Sequence, residues 1–103
     1  MNYRLARNIR SRIKETIKGN KKSQSSLKLL GCSLEQVRQH IESQFQEGMS
    51  WNNWSFYGWH IDHIRPISSF DLSDPIQQQQ CFHYTNLQPL WAKDNLAKGN
   101  KIV

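Results

Sequence analysis

The chain has 103 residues, 37% of them hydrophobic, and carries 14 Lys and Arg against 8 Asp and Glu, a formal charge of +6 with His neutral. That length suits one domain, or a small catalytic module with an appendage, around a modest core. No apolar run approaches the roughly 18 residues a membrane-spanning helix needs, and no apolar stretch near the N-terminus resembles a signal peptide, so the expected location is cytoplasmic. The basic surplus suggests a polyanionic partner, with a membrane surface as the alternative.

Leu5, Ile9, Ile13 and Ile17 recur every four residues, one stripe of a helix over 3–18. Arg7, Arg10, Lys14 and Lys18 fall on a separate stripe, so the helix is basic and amphipathic. Gly19 and Asn20 end it, and residues 21–26 read as a polar loop. Ser33, with Gln36 three residues on, is a capping box for a second helix over 34–46, whose apolar stripe is Leu34, Val37, Ile41 and Phe45. Gly48 stops it. Residues 49–59 are aromatic-rich without a helical period, and 59–64 alternate as a strand ended by Pro66. Residues 67–74 are a loop, in which Asp71 serves a turn. Asp74 and Pro75 open a short helix over 75–82. Residues 86–91 turn into a second strand, and 92–98 form a short helix closed by Gly99. Cys32 and Cys81 belong to no CxxC pair and are expected to be small buried hydrophobes.

Phosphodiester hydrolysis requires a deprotonated water, neutralised phosphoryl oxygens and a stabilised leaving oxygen. A histidine suits the first task. A hard divalent ion, held by a carboxylate, an amide oxygen, waters and the substrate phosphate, suits the other two. Asp62 and His63 offer a ligand and a base side by side, and Asn95 offers a second oxygen from the last helix. Neighbouring strand residues point to opposite faces. Asp62 is therefore expected to face the helix, and His63 to face outward toward a scissile phosphate. Taken singly, each has a plain reading: a structural His, an Asp bonded in a turn, an Asn on a solvated helix.

Together they form a pattern. WHIDHIRP at 59–66, TNLQPLW at 85–91 and KDNLAKG at 93–99 resemble the HNH endonuclease superfamily, with its D-H, N-L-x-P-L and N-x-x-K-G motifs in order. The resemblance covers about residues 58–101. LGCS at 30–33 and GMSWNN at 48–53 are similar to segments of small phage-type HNH nucleases. The resemblance implies an α+β fold: a ββα-metal module at 49–103, preceded by two helices in a basic DNA-binding leader at 1–48. It further implies Asp62 and Asn95 as metal ligands and His63 as general base. Asn86 would brace the loop between the strands and help orient His63. Many relatives hold a structural zinc on cysteine pairs. Here Trp91 and Asp94 stand where one such pair would fall, so aromatic packing is expected instead of zinc. Asn95 in place of His favours Mg²⁺ or Mn²⁺. His60 and His83 are left to packing or substrate contact.

Nine of the basic residues lie within 4–28, where Glu15 is the sole acid. Arg4, Arg7, Arg10, Arg12, Lys14 and Lys18 are therefore expected to grip the backbone of double-stranded DNA, with Arg7, Arg10, Lys14 and Lys18 outside the catalytic site and Lys98 and Lys101 touching phosphate near it. The expected activity is metal-dependent cleavage of DNA, one strand per site, by a monomer, or by a dimer if both strands are cut. If the gene is phage-borne, the location is the bacterial host's cytoplasm. The alternatives are a DNA- or RNA-binding protein that keeps an HNH-like fold without cutting, and a homing or packaging component that acts only with a partner.

Overall fold

The computed structural model describes residues 3–20 and 23–98. Helix α1 (Tyr3–Lys18) buries Ala6, Ile9, Ile13 and Ile17, with Leu5 half-buried beside them, and leaves all six of its Arg and Lys residues exposed. Helix α2 (Gln24–Leu30) occupies part of the segment expected to be a polar loop. The Ser23 hydroxyl accepts from the Ser26 amide at 3.2 Å, and Gly31 closes the helix in the left-handed region at φ 72°. A side chain at Gly31 would also meet the His83 imidazole at 2.7 Å, so backbone and neighbour both require glycine. Seven residues are too few to hold a helix by propensity; fully buried Leu30 supplies tertiary packing worth about 1.5–3 kcal/mol.

Helix α3 (Leu34–Glu42) begins with the expected capping box, both Ser33–Gln36 bonds being present at 3.0 and 3.1 Å. It ends four residues before the expected position. The Ser43 hydroxyl takes the His40 carbonyl at 2.7 Å, and Phe45 leaves the helix to pack its ring 5.3 Å from Trp51 and 5.2 Å from Trp59. A 3-10 turn at Trp51–Asn53 leads into strand β1 (Trp59–His63). Residues 67–74, expected as loop, contain a 3-10 turn at Ile67–Ser69, with Asp71 bonded to Ser73 in a further turn. Helix α4 (Pro75–Phe82) starts on Asp74, whose carboxylate accepts from the Ile76 amide at 3.0 Å. Strand β2 (Leu87–Trp91) and helix α5 (Ala92–Lys98) follow. The expected closure of α5 by Gly99 falls outside the described residues.

The strands pair antiparallel, Trp59 opposite Trp91 and His63 opposite Leu87. The described residues thus form an α+β fold of five α-helices and a two-stranded sheet. One hydrophobic core joins Ile9, Ile13 and Ile17 of α1 to Trp59, Phe82 and Leu87. Residues 1–48 and 49–103, expected as leader and module, therefore share a core where they are described. Cys81 is fully buried, and burial pushes its thiol up to about 12; Cys32 is only half-buried, which corrects its expected burial. No described helix is long and apolar enough to cross a membrane.

Candidate active site

Strand alternation sends His60 and Asp62 toward α5. There they meet Asn95 and Lys98. Asn95 Nδ2 lies 3.0 Å from His60 Nδ1, and Lys98 Nζ lies 2.7 Å from Asp62 Oδ2. The two-residue period of the strand matches the three-residue spacing on the helix. Gln88, directly opposite Asp62 in the sheet, donates to the same Oδ2 at 2.9 Å. Lys98 also donates to the His63 carbonyl at 2.9 Å. Asp62 is thus turned toward the helix, as its strand position requires.

His60 sets the orientation of Asn95. Its Nε2 lies 3.1 Å from the Phe56 carbonyl, so the proton sits on Nε2 and Nδ1 accepts from the Asn95 amide. That leaves Asn95 Oδ1, and likewise Asp62 Oδ1, without a hydrogen-bond partner among the described residues. Asp62 and Asn95, 33 positions apart in sequence, line the same cavity. Among the described residues no group of three or more His, Cys, Asp or Glu side chains is placed to hold a metal. A divalent ion here would have to complete its shell with water and phosphate oxygens, which suits Mg²⁺. The residues present fit such an ion.

His63 departs from expectation. It does not face outward. Its side chain is only 9% exposed and sets its ring edge against Phe82 at 5.1 Å. The reason is the strand's parity: with Asp62 toward α5, His63 shares the Trp59 and Ile61 face, which α1 and α4 cover. Nε2 is buried with no hydrogen-bond partner among the described residues. Burial first, then the positive field of Arg10, lowers its pKa to about 4 against the partial opposition of Asp62. The ring is therefore neutral at pH 7 and holds a free lone pair.

Asp62, His63, Asn95 and Lys98 line a cavity of about 520 Å³, closed on its other side by α1 through Arg4, Arg7 and Arg10. This corrects the expected separation of Arg7 and Arg10 from the residues of the candidate site. Lys14 and Lys18 lie elsewhere, 6.0 and 5.3 Å from the centre of the Trp54 ring. Arg12 is exposed and lines no part of this cavity. Lys101 lies outside the described residues.

Asn86 has a bracing geometry. Its side chain accepts from the Arg65 amide at 2.9 Å and donates to the Arg65 and Cys81 carbonyls at 3.1 and 2.9 Å. It thereby ties the end of β1 to α4, two residues beyond His63. His83, left open by the sequence, caps the 3-10 turn at Tyr84–Asn86 and bonds Thr85 at 2.8 Å. Sequence reasoning missed His60 and Gln88 as partners of Asn95 and Asp62. The signal was available for Gln88 in the strand register and for His60 in the i, i+2 spacing with Asp62.

No family model and no solved structure matches the chain. Two proteins of Acanthamoeba polyphaga mimivirus are similar to it. Uncharacterized protein L426 is 40% identical over 103 residues, spanning 100% of this chain and 45% of that protein. Uncharacterized protein L246 is 33% identical over 113 residues, spanning 99% of this chain and 49% of that protein. The chain thus spans about half the length of the curated relatives it matches.

Proposed function

We propose that this chain is a metal-dependent endonuclease of the HNH, ββα-metal kind, hydrolysing phosphodiester bonds of DNA. The observation that carries this reading is the convergence of Asp62, His63 and Asn95, from β1 and α5, on one cavity whose opposite wall is arginine-rich. The order of the D-H, N-L-x-P-L and N-x-x-K-G motifs supports it independently.

Asp62 and Asn95 would hold a Mg²⁺ or Mn²⁺ ion, which when bound supplies charge neutralisation at the phosphoryl and leaving oxygens. Arg7 and Arg10 bind and orient the phosphate from the opposite wall. His63, neutral and walled against Phe82, takes a proton from the attacking water as its oxygen bonds to phosphorus. The bond to the 3′-oxygen breaks, and that oxygen leaves with a proton from solvent. Lys98 holds the Asp62 carboxylate and the His63 carbonyl together, fixing ligand and base relative to each other. Asn86 keeps the end of the strand from shifting.

Supercoiled plasmid incubated with the protein tests the reading. Nicked circles are expected with Mg²⁺ or Mn²⁺ and none in excess chelator. Cutting undiminished by chelator would overturn the metal assignment. Tight binding without cutting in either metal would favour the DNA-binding alternative.

A further inference from the structure

A second cavity, of about 440 Å³, opens beside the first and shares Arg7, Arg10, Ile61 and His63 with it. Its chemistry differs. Asp62, Asn95 and Lys98 are absent from its wall, and Ile13, Trp54, Phe56, Phe82 and Leu87 line it instead. Its size falls within the roughly 300–1,000 Å³ typical of small-molecule sites. A polar chamber and a more apolar one thus share His63 in their common wall.

Phe56 lines this cavity and Tyr57 adjoins Phe56 outside it; the core uses neither ring. Phe56 is 77% exposed and Tyr57 91%, their rings edge to face with centroids 5.0 Å apart. Their loop is held in place. The Phe56 carbonyl bonds His60, and a Cβ at Gly58 would fall 1.7 Å from the Asn53 carbonyl oxygen, so only glycine permits the turn. Adjoining large exposed rings on a fixed loop signal a partner. The neighbouring charge names its class: Lys14, Arg7 and Arg10 line the same cavity. Cations around an aromatic, apolar slot suit a nucleic-acid strand, whose backbone is anionic and whose bases present π-faces.

We propose that the second cavity is a base subsite, taking one unpaired nucleobase of the DNA strand whose phosphate occupies the first. Phe56 supplies the stacking face. The identity of that strand rests on the nuclease reading; the base preference does not. The consequence is selectivity for structure over sequence: a bulged or single-stranded nucleotide has no stack to leave, whereas a paired one must be extruded at a cost of a few kcal/mol.

Binding of the full chain to fluorescein-labelled duplexes, measured by anisotropy in excess chelator so that nothing is cut, tests this. One duplex carries a single bulged adenine and the other a bulged abasic site. The bulged adenine is expected to bind about tenfold more tightly, the order of one base–aromatic stack. Phe56→Ala, exposed and outside the core, is expected to erase that difference while leaving affinity for the abasic duplex unchanged. Equal affinity of the wild-type protein for both duplexes would overturn the proposal, as would a preference that survives Phe56→Ala. The same preparations, given Mg²⁺ and supercoiled plasmid, report the nuclease reading separately. A preference for the bulged adenine in a protein that never nicks would support the base subsite and overturn the nuclease.

Discussion

The two faces of β1 are built on opposite rules. On the α5 face each polar side chain has a partner, leaving only the Oδ1 atoms of Asp62 and Asn95 unbonded among the described residues: His60 meets Asn95 and the Phe56 carbonyl, and Asp62 meets Gln88 and Lys98. On the α1 face His63 lies among Phe82, Ile61 and α1, with a ring nitrogen that has no hydrogen-bond partner among the described residues. A buried nitrogen without a partner costs about 1–3 kcal/mol. The pairing on one face fixes geometry. Burial on the other keeps the His63 imidazole neutral. On the proposed reading the contrast serves hydrolysis: ligands held rigidly, a base held unprotonated at neutral pH.

The comparison breaks most visibly at His63. His63→Ala is expected to lower the nicking rate by about 10²–10⁴ while affinity for plasmid DNA holds. A variant that turns over near the wild-type rate would remove His63 from the chemistry and leave it a packing residue.

The stability of the protein should carry the same signature. The folded pKa of His63, about 4, lies below the 6.5 of a free imidazole. Between those values the unfolded chain binds a proton that the folded chain refuses, so stability rises with pH. The contribution is complete above about pH 6.5 and is lost as pH falls toward 4, about 3 kcal/mol in all. Denaturant titrations in chelator at several pH values would read it. His63→Leu should flatten that part of the profile, and an unchanged slope in the variant would contradict the assignment.

A smaller effect concerns the wall opposite. Arg7→Gln and Arg10→Gln should each reduce the slope of log affinity against log salt by about 0.9 if each meets one phosphate of a duplex. Because both line the cavity with Asp62 and His63, the cutting rate at saturating DNA should fall as well. A change in affinity alone would return these residues to the role the sequence suggested, a grip remote from the chemistry.

Much of this arrangement was legible in the sequence, and the gaps have physical causes. The four-residue apolar period marked α1 to its observed ends, and Asp74 with Pro75 marked the start of α4. Ser23 and Gly31 flanked α2 with recognisable caps, but its serines read as loop, because packing of Leu30 rather than composition holds the helix. Phe45 fits the stripe of α3 by spacing, yet the aromatic rings that draw it away come from residues 51 and 59. The three residues of the expected site were proposed from motif, and the structure brings them to one cavity. The alternation of β1 correctly turned Asp62 toward α5 but could not say what covers the other face. The cover is α1, 50 or so residues earlier in the chain, and with it come the burial of His63 and the entry of Arg7 and Arg10 into the cavity.

The metal requirement of two variants tests the central claim most directly. Nicking is titrated with Mg²⁺ for wild type, Asp62→Ala and Asn95→Ala. The concentration for half-maximal cutting is expected to rise for both, and further for Asp62→Ala, because a carboxylate binds a hard cation more strongly than a neutral amide. Titration curves that superimpose on wild type, or a larger shift for Asn95→Ala, would contradict the assignment of these two residues as the ligands.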